Sequence, residues 1–272
     1  VADTITGGTG DDSIAGHLGN DTLAGGTGFD TVVYRWASGG VTVSLQAGTA
    51  SGADGNDLLS GFEAITGSVF NDTLTGDAAD NTINGRAGND TLDGGGGIDT
   101  ASYVDAASGV TVSLSAGTAS GGDGSDTLTG FENMTGSAFG DSLIGSAGVN
   151  VLRGGDGNDA LEGRGGADTL DGGAGVDFIS YANASAAVSV NLATGVVTGP
   201  DGADTLISIE GVYGSAFGDT LTGDDNGNFL RGNGGNDILD GGAGIDSADY
   251  QNAPGAVVVS LATGTSGGGD GV

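Results

Sequence analysis

One aliphatic side chain returns every nine residues: Ile5, Ile14, Leu23, Val32, Val41, Ala50 and Leu59 are consecutive members of the series. Polar and glycine positions keep fixed phases around it. Residues 154–162 read GGDGNDALE, 163–171 GRGGADTLD and 172–180 GGAGVDFIS, and the same phrase opens at Gly7, Gly16, Gly25, Gly85, Gly94, Gly232 and Gly241. A fixed period of this kind predicts a solenoid, because one repeat cannot bury its aliphatic alone whereas stacked repeats can. Glycine reaches φ > 0 without strain, so the first half of the phrase predicts a tight loop with its carbonyls turned inward. The aliphatic two residues after the Asp predicts a short strand with that side chain on the inner face. Val41-Thr42-Val43-Ser44-Leu45 alternates as a half-buried strand does.

A longer period overlies the short one. Tyr34, Tyr103, Tyr181 and Tyr250 are equivalent, at steps of 69, 78 and 69 residues, the difference being one nonapeptide. This divides the chain into units 30–98, 99–176 and 177–245, with partial units 1–29 and 246–272. Each unit runs from the Tyr through a VTVSL-like strand, a GTASG-like segment and a GGDGSD-like turn to further nonapeptides. The aliphatic step shortens to six between Leu59 and Ile65, Leu128 and Met134, and Leu206 and Val212, beside Glu63, Glu132 and Glu210. The Asp phase lapses over 33–53 and its counterparts while the aliphatic phase continues. Those stretches are therefore expected to be coils of one continuous roll over 1–272 that kept the inner face and lost the acidic turn. The next Asp of the series would fall one residue past Val272, and Asp3 lacks its preceding glycines, so the reading expects a window of a longer tandem array.

Composition narrows the chemistry. There are 61 Gly, no Cys, and 36 acidic against 5 basic residues, for a net charge of −31. Disulfides and thiolate metal sites are excluded, and so is nucleic-acid binding through a basic patch. No apolar run approaches the length of a membrane span. Such self-repulsion disfavours a compact state unless cations offset it. Oxygen-only ligands, carboxylate and carbonyl, suit a hard cation such as calcium.

The phrase GGxGxD followed by a short apolar strand resembles the RTX calcium-binding nonapeptide repeats. The resemblance implies an all-β, right-handed parallel β-roll or β-solenoid of two nonapeptides per coil. It also implies calcium held between turns on one edge, and export from bacteria by a type I secretion system. The metal-ligating candidates are Asp3, Asp12, Asp21, Asp30, Asp57, Asp72, Asp90, Asp99, Asp126, Asp141, Asp159, Asp168, Asp177, Asp204, Asp219, Asp237 and Asp246.

Alternate counting of turns sends Asp3, Asp21, Asp57, Asp72, Asp90, Asp126, Asp141, Asp159, Asp177 and Asp246 to one edge, with Gly39, Ser108 and Gly195. The other edge receives Asp12, Asp30, Asp99, Asp168, Asp204, Asp219 and Asp237, with Gly48, Gly117 and Ala186. The expected Asp–Asp neighbours are 3/21, 57/72, 72/90, 126/141, 141/159, 159/177, 12/30, 204/219 and 219/237, hence about nine calcium ions or more. Pairs 12/30 and 159/177 carry the unaltered loop in both turns. Phe70, Phe139 and Phe217 replace the fourth-position glycine, so the loop shape there departs from the phrase.

The remaining features are read as structural. His17, the single His, is a solvated loop residue. Glu63, Glu132 and Glu210 are weak ligands or turn caps rather than a paired acid and base. The Tyr series and Trp36 cover a coil edge, a sugar-stacking strip being the alternative. The expected function is therefore non-enzymatic: a calcium-binding structural spacer of an extracellular bacterial surface protein (adhesin, surface layer or filament), folding on calcium after export. The alternatives are a C-terminal secretion and folding module of an exported enzyme, or a polysaccharide-binding module. Expected partners are calcium ions, with room for self-association or polysaccharide contact, and neither nucleic acid nor an inserted membrane.

Overall fold

A computed structural model describes residues 1–251, and beyond them the backbone of the strands Val257–Ser260 and Thr265–Gly268. Of the partial unit expected at 246–272, residues 252–256, 261–264 and 269–272 lie outside the described residues. The described residues contain strands and turns and no helix. They fall into two compact units, Val1–Phe139 and Gly140–Val272.

In the first unit the strands after Asp3 and Asp21, Thr4–Thr9 and Thr22–Thr27, pair in parallel, with Ile5 beside Leu23. Leu59 of Gly55–Ser60 is the next member of that stack. Thr73–Thr75, Thr91–Asp93 and Gly124–Thr129 continue in the same sheet, stacking Leu74, Leu92 and Leu128. The facing sheet stacks Ile14, Val32, Ile65, Ile83, Ala101 and Met134. In the second unit Leu143, Leu161, Ile179, Val212 and Leu230 form one column, while Leu152, Leu170 and Leu206 lie in the other sheet. Most of these side chains are fully buried; Leu23, Leu74, Leu143 and Leu152 are at 0 % exposure. Each contributes roughly 1.5–3 kcal/mol of burial, which one repeat alone could not secure. The architecture is a β-roll of parallel strands, as the nine-residue period predicts.

The stretches without acidic turns depart from the expectation. They do not cross to the facing sheet and return. Val41–Ser44, Thr49–Gly52 and Gly55–Ser60 form an antiparallel meander inside one sheet. Val110–Ser113, Thr118–Gly121 and Gly124–Thr129 repeat it, as do Ser189–Asn191, Val196–Thr198 and Thr205–Ile207. Val257–Ser260 and Thr265–Gly268 also pair antiparallel. The cause is a local turn: Gly48 sits at φ 66°, its N–H donates to the Leu45 carbonyl at 3.1 Å, and Ser44 Oγ accepts the Ala47 N–H at 3.1 Å. Gly117 and Gly195 take the same conformation at φ 68° and 66°. An αL glycine closing a short turn reverses a strand within its sheet. Gly48, Gly117 and Gly195 are thus hairpin residues, not lapsed acidic turns on the opposite edge.

The meander leaves the side of each Asp unchanged and alters its neighbours. Asp72 and Asp90 precede, and Asp57 and Asp126 lie within, strands of one sheet, as expected. In the second unit Asp141, Asp159 and Asp177 serve one sheet and Asp204, Asp219 and Asp237 the other, also as expected. Asp57 and Asp72, however, are separated by the two inserted strands, and so are Asp204 and Asp219. Asp57 instead follows Asp21, Asp126 follows Asp90, and Asp204 follows Asp168.

Candidate metal centre

The sixth residue of each turn forms a vertical ladder. One carboxylate oxygen accepts the backbone N–H of the equivalent residue one turn earlier. Asp3 N–H donates to Asp21 at 2.7 Å, Asp21 to Asp57 at 2.9 Å, Asp72 to Asp90 at 2.8 Å and Asp90 to Asp126 at 2.9 Å. Asp159 donates to Asp177 at 2.8 Å, Asp12 to Asp30 at 2.8 Å, Asp168 to Asp204 at 2.9 Å and Asp219 to Asp237 at 2.8 Å. Glu63, Glu132 and Glu210 enter the same ladder with a longer arm, accepting from Asp30, Asp99 and Asp177 at 2.9, 2.9 and 2.8 Å. These glutamates lie within the shortened six-residue step, where Phe62, Phe131 and Ile209 are buried. The extra methylene lets the carboxylate reach a ladder that the shorter connection would otherwise miss.

The second carboxylate oxygen is the chemically informative one. Oδ2 of Asp12, Asp21, Asp30, Asp90, Asp99, Asp159, Asp168 and Asp177 is buried with no hydrogen-bond partner. Seven of these residues are between 0 and 2 % exposed; Asp12 is half-buried. A buried carboxylate oxygen without a partner is costly and calls for a cation or a proton. The first glycine of each turn presses on that oxygen. A Cβ on Gly25 would collide with Asp30 and with the Gly61 carbonyl oxygen of the next turn. On Gly94 it would meet Asp99 and Gly130, on Gly154 Asp159 and Gly172, and on Gly172 Asp177 and Ser208. In these four turns, and at Gly7 beside Asp12 and the Gly25 carbonyl, the orphan oxygen and a carbonyl of the next turn face one small space that only a glycine leaves open. Among the described residues no three acidic or imidazole side chains gather tightly enough to hold a metal. Carbonyl oxygens have to complete any shell, which suits the six to eight oxygen ligands of calcium.

Electrostatics point the same way. Burial, with Asp126, Asp72 and Asp123 adding to it, pushes the Asp90 carboxyl up to about 7 against the Asp72 N–H that lowers it. Burial likewise pushes Asp99, Asp159 and Asp168 up to about 6. The Asp177 carboxyl is raised by burial too. Carboxyls whose ionised form is disfavoured by burial become good anions once a dication stands beside them.

The other candidates divide. Asp57, Asp126 and Asp204 give Oδ2 to the hydroxyls of Tyr34, Tyr103 and Tyr181 at 2.9, 3.0 and 2.7 Å. These tyrosines are 2–5 % exposed, which removes them from any sugar-stacking strip. Asp72 and Asp219 accept from Ser68 and Ser215 of their own turns. Asp3 and Asp246 are exposed, and Asp237 is half-buried. His17 is an exposed loop residue whose ring lies 5.2 Å from that of Trp36. One acidic set escaped the nine-residue reading: Asp54, Asp123 and Asp201 at the meander tips. Asp123 is 5 % exposed with an unpartnered Oδ2, and burial pushes it up to about 6. The recurring G-x-D-G at the tips was the available signal.

A β-roll whose turns stack buried carboxylates against carbonyl oxygens defines a calcium-binding repeat protein. The model of the RTX calcium-binding nonapeptide repeat matches residues 2–32, 66–101, 116–133, 135–170, 144–179 and 213–248. These matches span more than half of the sequence, and the chain belongs to that family. No curated protein matches it. Among the described residues no helix is long and apolar enough to cross a membrane.

Proposed function

We propose that this calcium-binding repeat module is a non-catalytic, calcium-stiffened spacer of a secreted bacterial surface protein, such as an adhesin, a surface layer or a filament. The observation that carries the reading is the carboxylate ladder. Each acidic turn residue spends one oxygen on stacking turn upon turn, so the acids that would bind calcium also hold successive coils in register. Without a cation, nine buried Asp Oδ2 atoms among the described residues, that of Asp123 included, have no partner, and the −31 charge is uncompensated. Folding is then coupled to the metal, because the ion binds the folded chain and has no site in the unfolded one. An affinity of about 10⁻⁴ to 10⁻³ M per site, the range of extracellular modules, would leave the chain unfolded before export and fold it outside.

Circular dichroism in millimolar calcium and in excess chelator tests the coupling. The expected result is a β spectrum with calcium and its loss without; a full β spectrum in chelator overturns it. The parent chain discriminates the spacer from a secretion module of an exported enzyme. Further units of 69 or 78 residues on either side support the spacer, and an adjoining catalytic domain overturns it.

A further inference from the structure

The turns come in two backbone forms, and the second residue decides which. In ten turns that residue has positive φ: Gly8 at 115°, His17 at 57°, Gly26 at 120°, Arg86 at 65°, Gly95 at 99°, Gly155 at 113°, Arg164 at 69°, Gly173 at 94°, Asn233 at 65° and Gly242 at 85°. Every turn-closing Asp with a buried, unpartnered Oδ2 belongs to this open form. In a second group the residue does not have positive φ, and its N–H turns inward onto the sixth side chain. Ser68 N–H donates to Asp72 Oδ2 at 2.6 Å and Ser215 N–H to Asp219 Oδ2 at 2.5 Å. Asp77 donates to Asn81 at 2.7 Å, Ser146 to Asn150 at 2.7 Å and Asp224 to Asn228 at 2.8 Å. In these closed turns an N–H proton points at the oxygen that the open turns leave for an ion. The serine hydroxyls fill the other oxygen, Ser68 to Asp72 at 2.8 Å and Ser215 to Asp219 at 2.7 Å.

The stack ends at Asp57, Asp126, Asp204 and Glu63 are also closed by donors. The Tyr34, Tyr103 and Tyr181 hydroxyls cap Asp57, Asp126 and Asp204. After Glu63, the Asn81 amide donates to the Glu63 carbonyl at 3.2 Å, where an ion between those turns would draw on the same oxygen.

We propose that the second residue of each turn selects for calcium, so that only open turns take it. The ions then lie between the neighbours 12/30, 30/63, 21/57, 90/126, 99/132, 159/177, 177/210 and 168/204. This rests on the calcium reading above and deepens it. Glu63, Glu132 and Glu210 become ligands at three sites, completing the shells of Asp30, Asp99 and Asp177. Asp72, Asp141 and Asp219, the last residues of S-x-F-x-D turns, contribute no free oxygen of their own to an ion. The pairs 72/90, 141/159 and 219/237 are then structural rungs, although both members are Asp.

Equilibrium dialysis with radioactive calcium tests the assignment on the full chain. Asn already occupies the closed turns at Asn81, Asn150 and Asn228, so the triple variant Asp72→Asn, Asp141→Asn, Asp219→Asn preserves their geometry. It is expected to bind as many ions as the parent chain, while Asp90→Asn binds one fewer. Loss of ions in the triple variant overturns the inference. Should that variant not fold, Asn81→Asp adds a carboxylate to a closed turn and is expected to add no ion; a gained ion overturns the inference. A parent chain that binds no calcium overturns both the calcium reading and the inference, whereas a changed count in the triple variant or in Asn81→Asp alone overturns only the latter.

Discussion

Substituting Gly94 by Ala separates the ion from the rest of the turn. The backbone at Gly94 does not have positive φ, so alanine fits its conformation; what it lacks is room. The added Cβ would lie 2.8 Å from Asp99 Oδ2, 2.7 Å from Asp99 Cβ, and in collision with the Gly130 carbonyl oxygen. Those are the oxygens that would face the ion proposed between Asp99 and Glu132. Two residues on, Gly96 also lacks positive φ, and its Cβ would meet only Ala78 Cα at 3.9 Å, an ordinary contact. Gly96→Ala is therefore the control within the same turn. If a site has a dissociation constant of about 10⁻⁴ M, calcium at 10 mM is about 100 times that value and contributes about 2.7 kcal/mol. Gly94→Ala should lose about that much at 10 mM calcium, several degrees of melting temperature for a unit of this size, and bind one ion fewer. Gly96→Ala should change neither. Calorimetric melts and calcium counts on both variants read this out. Equal losses in the two variants, or a Gly94→Ala loss that persists undiminished as calcium is lowered toward the dissociation constant, would refute the cradle as the ion's place.

Two further outcomes follow from buried groups. Tyr103→Phe removes the hydroxyl that donates to Asp126 Oδ2 at 3.0 Å and leaves a carboxylate oxygen buried without that partner. The expected cost is about 1–3 kcal/mol, seen as a lower denaturation midpoint at saturating calcium; an unchanged midpoint refutes the capping role. The ion-free chain should respond to pH in a direction set by its raised carboxyls. Asp90 is pushed up to about 7 and Asp99, Asp159 and Asp168 up to about 6. Folding therefore favours their protonated forms, so this contribution is full below about pH 4, the ordinary Asp value, and is lost as pH rises through 6 to 7. Circular dichroism of metal-stripped protein between pH 4 and 8 should show β signal falling across that window, and saturating calcium should flatten the curve. A signal that rises with pH refutes the assignment.

Much of the fold was legible because period and burial are the same fact. An aliphatic that must return every nine residues can do so only in a stack, and Leu23, Leu74 and Leu161 lie where that argument puts them. The meanders were not legible, because Gly48 satisfies two readings at once. It falls on the nine-residue phase and so passes for a lapsed acidic turn, and it is also the αL residue of a hairpin. Only the N–H of Gly48 finding the Leu45 carbonyl decides between them. Part of the site was hidden for a related reason. Asp90 and Asp72 look alike in sequence, yet one follows Arg86 at φ 65° and the other Ser68, whose N–H turns inward. Whether a carboxylate is free is decided by a backbone angle four residues away, which composition and spacing do not encode. The serine at that position was the visible sign.

The side of every acidic turn nevertheless came out as expected, and the reason is parity. From Gly39 through Asp57 the nine-residue reading places strands on one sheet, the other, and the first again. The meander instead places Val41–Ser44, Thr49–Gly52 and Gly55–Ser60 on one sheet. Both paths end where they must for Asp57 to fall on the same sheet, so every later side is unchanged while the neighbours are not. Periodicity thus determines parity, and tertiary pairing determines ligand sets. The distinction has an electrostatic consequence. Equivalent turns lie roughly 4.8 Å apart along a roll, and dications in an unbroken column at that spacing would repel one another strongly. Two inserted strands and a tyrosine cap interrupt the column after Asp57, and closed turns interrupt it elsewhere. No run in the proposed assignment exceeds two ions, those at 12/30 and 30/63, and at 159/177 and 177/210. On that assignment the meanders would divide the charge of the ion column as well as lengthening the sheet, and the tyrosine hydroxyls would let the terminal carboxylates remain buried without a further ion.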